Sequence, residues 1–117
     1  MIIKSLILNI DIYFSSWSKC ESLQINKNSE SETISCEGET HYSNTIDVKT
    51  GWLFTFTAHS TGSEVIYVQG SVTINGYKFK IQHDDDYWKK QGNKIHDISI
   101  SDWYYINGNS QTGIIKF

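Results

Sequence analysis

The sequence contains no proline and no arginine, and its two cysteines are too few for a disulfide framework. All ten basic residues are lysines, and the formal net charge is −3. Arginine makes the bidentate contacts to guanine and phosphate, so its absence argues against nucleic acid as a partner. No apolar run approaches the roughly 18 residues of a transmembrane helix. These absences favour a globular protein over a nucleic-acid-binding or helical membrane protein.

Cys20 and Cys36 leave two alternatives open, because they can form one disulfide in an oxidising compartment or stay free thiols in a reducing one. The apolar start of the chain is interrupted by Asn9 and Asp11, and no small-residue cleavage site follows. This start predicts a strand rather than a signal peptide. We therefore expect a soluble protein that is released or secreted without a clear signal peptide.

The positive signal in the sequence is alternation of apolar and polar residues. Residues 6–14 alternate along their whole length, which predicts a long strand with one buried face. Asn75-Gly76 lies between two alternating runs and predicts a hairpin with a two-residue type I′ turn. The predicted pairs are Ile74 with Tyr77 and Val72 with Phe79 on the apolar face, and Thr73 with Lys78 and Ser71 with Lys80 on the polar face.

Other short apolar runs predict strands around residues 23–25, 33–36, 46–48, 52–58, 65–68, 98–100 and 114–115. Residues 26–31 are polar throughout and predict an exposed loop, and residues 89–93 continue the loop after the hairpin. Helical periodicity is absent. About nine short strands predict an all-β chain in which residues 1–117 form a single antiparallel β-sandwich domain.

A catalytic or metal site is not indicated. His83 precedes Asp84, Asp85 and Asp86, but neighbours on an extended chain point to opposite faces and do not pair as base and carboxylate. No nucleophile elbow or phosphate-binding loop occurs. The three aspartates also lack the alternating spacing with glycine of a calcium loop. We therefore expect no enzyme activity, no metal and no cofactor.

The aromatic residues are more informative about function. Tyr87 and Trp88 follow the aspartates in a charged loop, and continued alternation places Trp103 and Tyr105 on an outward face. Trp52 shares a face with phenylalanines and is expected in the core. Exposed tryptophan and tyrosine suit membrane interfaces and sugar faces, because their rings are amphipathic.

These residues resemble the middle of the aegerolysins, a family of small β-sandwich proteins. The resemblance is carried by Thr61-Gly62-Ser63-Glu64, Gly70-Ser71-Val72, Asn75-Gly76, Phe79-x-Ile81, Asp84-x-x-Tyr87-Trp88 and Gly92-Asn93. The opening strands are also similar, and the actinoporins and fungal fruit-body lectins share a comparable sandwich and aromatic loop. The chain departs from the family where Asp86 replaces the usual proline of the aspartate-aromatic loop.

The resemblance implies an aegerolysin- or actinoporin-like sandwich that binds membrane lipid headgroups. It would be one component of a two-component pore-forming or insecticidal toxin that acts at target membranes with a larger pore-forming partner. The implied ligand-binding residues are Asp84, Asp85, Tyr87, Trp88, Lys89, Trp103 and Tyr105. In this interpretation the aromatic rings insert at headgroup level, the aspartates bond a headgroup and the lysine approaches phosphate.

Two other functions stay open from the residues themselves. One is a carbohydrate-binding, lectin-like module, because aromatic platforms beside aspartate and asparagine also suit sugars. The other is a structural or self-assembling crystal protein, whose aromatics serve packing or contacts between copies.

Overall fold

The computed structural model of the chain contains two antiparallel sheets packed against each other, so the predicted all-β sandwich is confirmed. The structure describes residues 2–14, 19–36, 38–61, 66–81, 88, 90–101 and 110–117. The strands are β1 (Leu6–Phe14), β2 (Cys20–Lys27), β3 (Glu30–Ile34), β4 (His41–Asp47), β5 (Leu53–Ser60), β6 (Ile66–Ile74), β7 (Tyr77–Ile81), β8 (Lys94–Ile95), β9 (Ile98–Ser101) and β10 (Ser110–Lys116).

The four-stranded sheet has the order β4-β1-β6-β7, and the six-stranded sheet has the order β3-β2-β5-β10-β9-β8. Successive segments of the chain change sheets repeatedly: β1 leads to β2, β3 to β4, β4 to β5 and β5 to β6 in the opposite layer. One apolar core fills the space between the layers, and both sheets contribute to it. Burying side chains from both layers in one cluster is the main source of stability in such a sandwich.

The two strongest strand predictions are confirmed residue by residue. In β1 every second side chain from Leu6 to Phe14 is buried. The β6–β7 hairpin has the predicted register at all four pairs from Ser71–Lys80 to Ile74–Tyr77. Asn75 and Gly76 have φ angles of 48° and 87°, as a type I′ turn requires.

The exposed loop predicted for residues 26–31 is wrong. Strand β2 continues to Lys27, Asn28 turns the chain with a φ of 58°, and β3 begins at Glu30. Strand β3 is an edge strand whose side chains are almost all exposed. Backbone hydrogen bonds to β2 hold β3 in the sheet, so β3 forms without alternating apolar residues. The prediction failed because it depended on such alternation.

Cys20 and Cys36 form a disulfide, with their Cα atoms 5.6 Å apart. The bond links the start of β2 to the segment after β3, where the chain leaves the six-stranded sheet. Both cysteines are buried in the core cluster. Of the two alternatives that the sequence left open, the structure therefore contains the bridge.

Candidate functional site

Most of the predicted ligand-binding residues lie outside the described residues, namely Asp84, Asp85, Tyr87, Lys89, Trp103 and Tyr105. Their proposed contacts with a ligand stay predictions. Of the predicted set, the structure describes Trp88, and the exposure of its side chain tests whether it can contact a ligand.

The predicted exposure of Trp88 is wrong, because its side chain is fully buried in the core. Its indole nitrogen donates a hydrogen bond to the backbone carbonyl of Lys80 on β7, at 2.7 Å. Its own carbonyl accepts hydrogen bonds from the amides of Gln91 and Asn93. With the indole N–H satisfied, the large apolar ring is buried at little polar cost. Trp88 therefore belongs to the core and not to a membrane-facing loop.

Among the described residues, the exposed large hydrophobic side chains are Ile2 at 78%, Leu53 at 44% and Tyr77 at 71%. All three lie at one end of the sandwich. We name it the hairpin end, and it comprises residues 2–5, residues 48–53 between β4 and β5, and the β6–β7 turn with Tyr77. The sequence did not indicate that these three residues share one end of the fold, because they lie far apart in the chain.

Asn75 fixes segment 2–5 against the hairpin turn. Its side-chain oxygen accepts hydrogen bonds from the amides of Lys4 (2.7 Å) and Ser5 (3.0 Å). Its side-chain nitrogen donates to the carbonyl of Ile2 at 2.8 Å. Asn75 is only two residues before Tyr77. These three hydrogen bonds therefore hold the exposed Ile2 and Tyr77 at the same end of the four-stranded sheet.

Segment 48–53 joins the two sheets at this end, because the amide of Val48 donates to the carbonyl of Leu6 at 3.1 Å and the segment leads into β5. The amide of Gly51 donates to the carbonyl of Phe117, and the amide of Phe117 donates to the carbonyl of Trp52, both at 2.8 Å. A cavity of about 350 Å³ between the layers is lined by Ile3, Thr50 and Phe117, among others. The hairpin end is therefore one surface to which both sheets contribute.

The hairpin end is also basic, although the whole chain is acidic. Lys78 follows Tyr77, and Lys116 lies directly opposite Leu53 in the β10–β5 register. The lysines within this end or beside it in the strand registers are Lys4, Lys27, Lys49, Lys78, Lys94 and Lys116, and the carboxylates beside it are Glu30, Glu32, Asp47 and Asp97. Lys27 pairs with Glu32 at 3.7 Å and Lys94 with Asp97 at 3.4 Å. Outside these two pairs, four lysines stand against two carboxylates, so the end carries a net excess of two positive charges.

One titratable group away from this surface is perturbed. Burial raises the pKa of the Tyr42 phenol, and the nearby Glu32 carboxylate adds to the rise, while a hydrogen bond from Asn44 opposes it. Both raising effects favour the protonated phenol, so Tyr42 stays neutral at physiological pH. This half-buried phenol packs against the core and serves the fold.

Two searches of the described part of the chain, for metal-ligand groups and for membrane-spanning helices, find none. No group of three or more histidine, cysteine or acidic side chains there is placed to hold a metal ion. No helix of that part is long and apolar enough to cross a bilayer.

Comparison with family models, with curated proteins and with solved structures gives no match to this chain.

Proposed function

We propose that the chain binds membrane lipid headgroups through the hairpin end and is the membrane-recognition component of a two-component pore-forming or insecticidal toxin. The observation that supports this function is that Ile2, Leu53 and Tyr77 are exposed at one end of the sandwich, where lysines outnumber carboxylates by two. Exposed apolar side chains at one end of a globular domain, with a net positive charge around them, are suited to an anionic membrane surface. The resemblance to the aegerolysins supports the toxin part of the proposal.

The chemistry of the hairpin end suits an anionic bilayer surface. A tyrosine ring with its hydroxyl is stable at the level of lipid headgroups, where one part of the side chain is apolar and the other is wet. Lysines near an anionic leaflet each contribute about 1 kcal/mol of attraction. Tyr77 beside Lys78, and Leu53 opposite Lys116, combine both effects. We therefore expect preference for anionic over zwitterionic membranes.

This site differs from the loop inferred from the sequence. Trp88 is withdrawn as a lipid contact because it is buried, and Tyr77 takes its place as the principal aromatic anchor. Lipid binding is therefore proposed at the hairpin end, where the apolar side chains of Ile2, Leu53 and Tyr77 are exposed.

Vesicle co-sedimentation tests the proposal. The wild-type protein is expected to bind vesicles of phosphatidylcholine with phosphatidylserine, and to bind vesicles of phosphatidylcholine alone weakly. The double substitution Ile2→Ser and Tyr77→Ser should abolish binding without loss of stability, because both side chains are already exposed. Bound protein should release no trapped dye by itself, because on this proposal the larger partner forms the pore.

A matched pair of lysine substitutions tests the electrostatic part. Lys49→Gln at the hairpin end should weaken binding to the anionic vesicles about fivefold, from the contribution of one lysine. Lys19→Gln, an exposed lysine at the start of β2, should leave the affinity unchanged. Equal effects of the two substitutions, or no binding of wild type to anionic vesicles, would contradict the proposal.

A further inference from the structure

We infer a second binding site, for a neutral glycan, on the outer face of the four-stranded sheet. This polar face consists of the outward side chains of β4, β1, β6 and β7, and it adjoins the hairpin end, with which it shares Lys78. A groove of about 200 Å³ lies on it, and its lining includes Asn9, Asp11, Gln69, Ser71 and Lys80.

The strand register arranges the polar face in rows. One row crosses the sheet as Thr45, Asn9, Ser71 and Lys80. Thr45 donates a hydrogen bond to the side chain of Asn9. Ser71 is only 3% exposed, so its hydroxyl lies at the floor of the groove. This row supplies an amide, a hydroxyl and an ammonium group side by side.

The next row crosses the sheet as Ser43, Asp11 and Gln69. Asp11 and Gln69 are half-buried, and both line the groove. A carboxylate accepts hydrogen bonds and an amide both donates and accepts them. Vicinal hydroxyls of a sugar need this mixture, because each hydroxyl is donor and acceptor at once.

The third row is aromatic and consists of His41, Tyr13 and Tyr67. The rings of Tyr13 and His41 stack with their centroids 4.1 Å apart and their planes 5° from parallel. The His41 Nε2 atom lies 3.0 Å from the Asp11 Oδ1 atom, which joins the aromatic row to the polar row beside it. Aromatic surface next to convergent polar groups is the pattern by which proteins hold the apolar faces and hydroxyl edges of sugars.

The charge of the groove favours a neutral ligand. Lys78 and Lys80 stand at one side and Asp11 at the other, so neither a polyanion nor a polycation finds a surface of one sign. The groove is also open and mostly polar, which does not suit an acyl chain. A glycan meets these conditions, either as a free oligosaccharide or as the headgroup of a glycolipid.

Calorimetric titration with neutral hexasaccharides tests the inference, using glucan, mannan, xylan and chitin oligomers as probes. At least one probe should bind, and Gln69→Ala should weaken its binding about tenfold, by loss of hydrogen bonds to sugar hydroxyls. Thr57→Ala is the matched control, because Thr57 is a half-buried residue on the outer face of the other sheet. Binding of no probe, either free or displayed on a phosphatidylcholine vesicle, or equal weakening by both substitutions, would overturn the inference.

The two sites can fail independently. Gln69→Ala should leave co-sedimentation with phosphatidylserine vesicles unchanged, and the Ile2→Ser, Tyr77→Ser variant should leave glycan binding unchanged. If a free oligosaccharide binds, the same sugar displayed on a phosphatidylcholine vesicle should capture the wild-type protein and not Gln69→Ala. A sugar recognised only on the vesicle would identify a glycolipid as the source of the ligand.

Discussion

The indole nitrogen of Trp88 donates a hydrogen bond to the backbone carbonyl of Lys80, at 2.7 Å. This bond connects the chain beyond β7 to β7 itself, and it explains how a tryptophan in a highly charged stretch is buried. Trp88 is therefore a core residue, whereas Tyr77 is exposed and can contact a ligand.

Trp88→Phe tests the contribution of this bond. The phenylalanine keeps most of the apolar volume but leaves the Lys80 carbonyl without its partner, so the free energy of unfolding should fall by about 1 to 3 kcal/mol. Trp88→Ala should cost about 3 to 5 kcal/mol, because it also leaves a cavity. Urea unfolding measures both values. Unchanged stability of Trp88→Phe would show that the bond does not hold the ring.

The disulfide should stabilise the protein by restricting the unfolded chain. Cys20 and Cys36 are 16 residues apart, and a loop of that size contributes about 3 kcal/mol. The double substitution Cys20→Ser and Cys36→Ser should lower the unfolding free energy by that amount. A reductant should lower the stability of wild type similarly and leave the double variant unaffected. Equal stability of wild type with and without reductant would contradict the prediction.

Gly113 is expected to tolerate no side chain. It pairs with Phe56 across β10 and β5, and a Cβ atom at Gly113 would lie only 2.6 Å from the Cζ atom of that ring. The ring is fully buried, so any movement away from a new side chain would disturb the packed core. Gly113→Ala should therefore cost about 1 to 3 kcal/mol or more. In a double-mutant cycle, Phe56→Leu should recover part of this loss, and strictly additive costs would rule out the clash.

Asn75 has two roles that different substitutions separate. Asn75→Gly keeps the positive φ but removes the bonds to Ile2, Lys4 and Ser5, so hydrogen exchange at the amides of Lys4 and Ser5 should accelerate. Asn75→Ala removes the same bonds and adds backbone strain of about 1 kcal/mol or more. Unfolding experiments should therefore rank wild type above glycine and glycine above alanine. Equal stability of the two variants would contradict the strain argument.

The parts of the fold that the sequence predicted well are those in which local pattern and tertiary contact agree. Strand β1 alternates because one face meets the core, and Asn75-Gly76 determines both the turn and the register of β6 and β7. Strand β3 was predicted at residues 33–36 and lies at Glu30–Ile34, because an edge strand held by backbone hydrogen bonds shows no alternation that would mark its start.

The residues of the candidate site could not be predicted from the sequence as well as the strands could. Tyr77 pairs with the buried Ile74, which correctly places it on the apolar face, yet it is 71% exposed at the end of an edge strand. Ile2 and Leu53 join it only through folding. Trp88 was misplaced because its partner is a backbone carbonyl, which leaves no trace in the sequence.

Quenching of tryptophan fluorescence by brominated lipids tests membrane contact at the hairpin end most directly. A Tyr77→Trp variant should gain a quenched component over wild type in vesicles that contain phosphatidylserine, because the added ring lies among the acyl-chain carbons nearest the headgroups. Glu21→Trp, at an exposed position near the start of β2, is the control and should gain none. Equal quenching of the two added tryptophans, or none at position 77, would contradict membrane binding through the hairpin end.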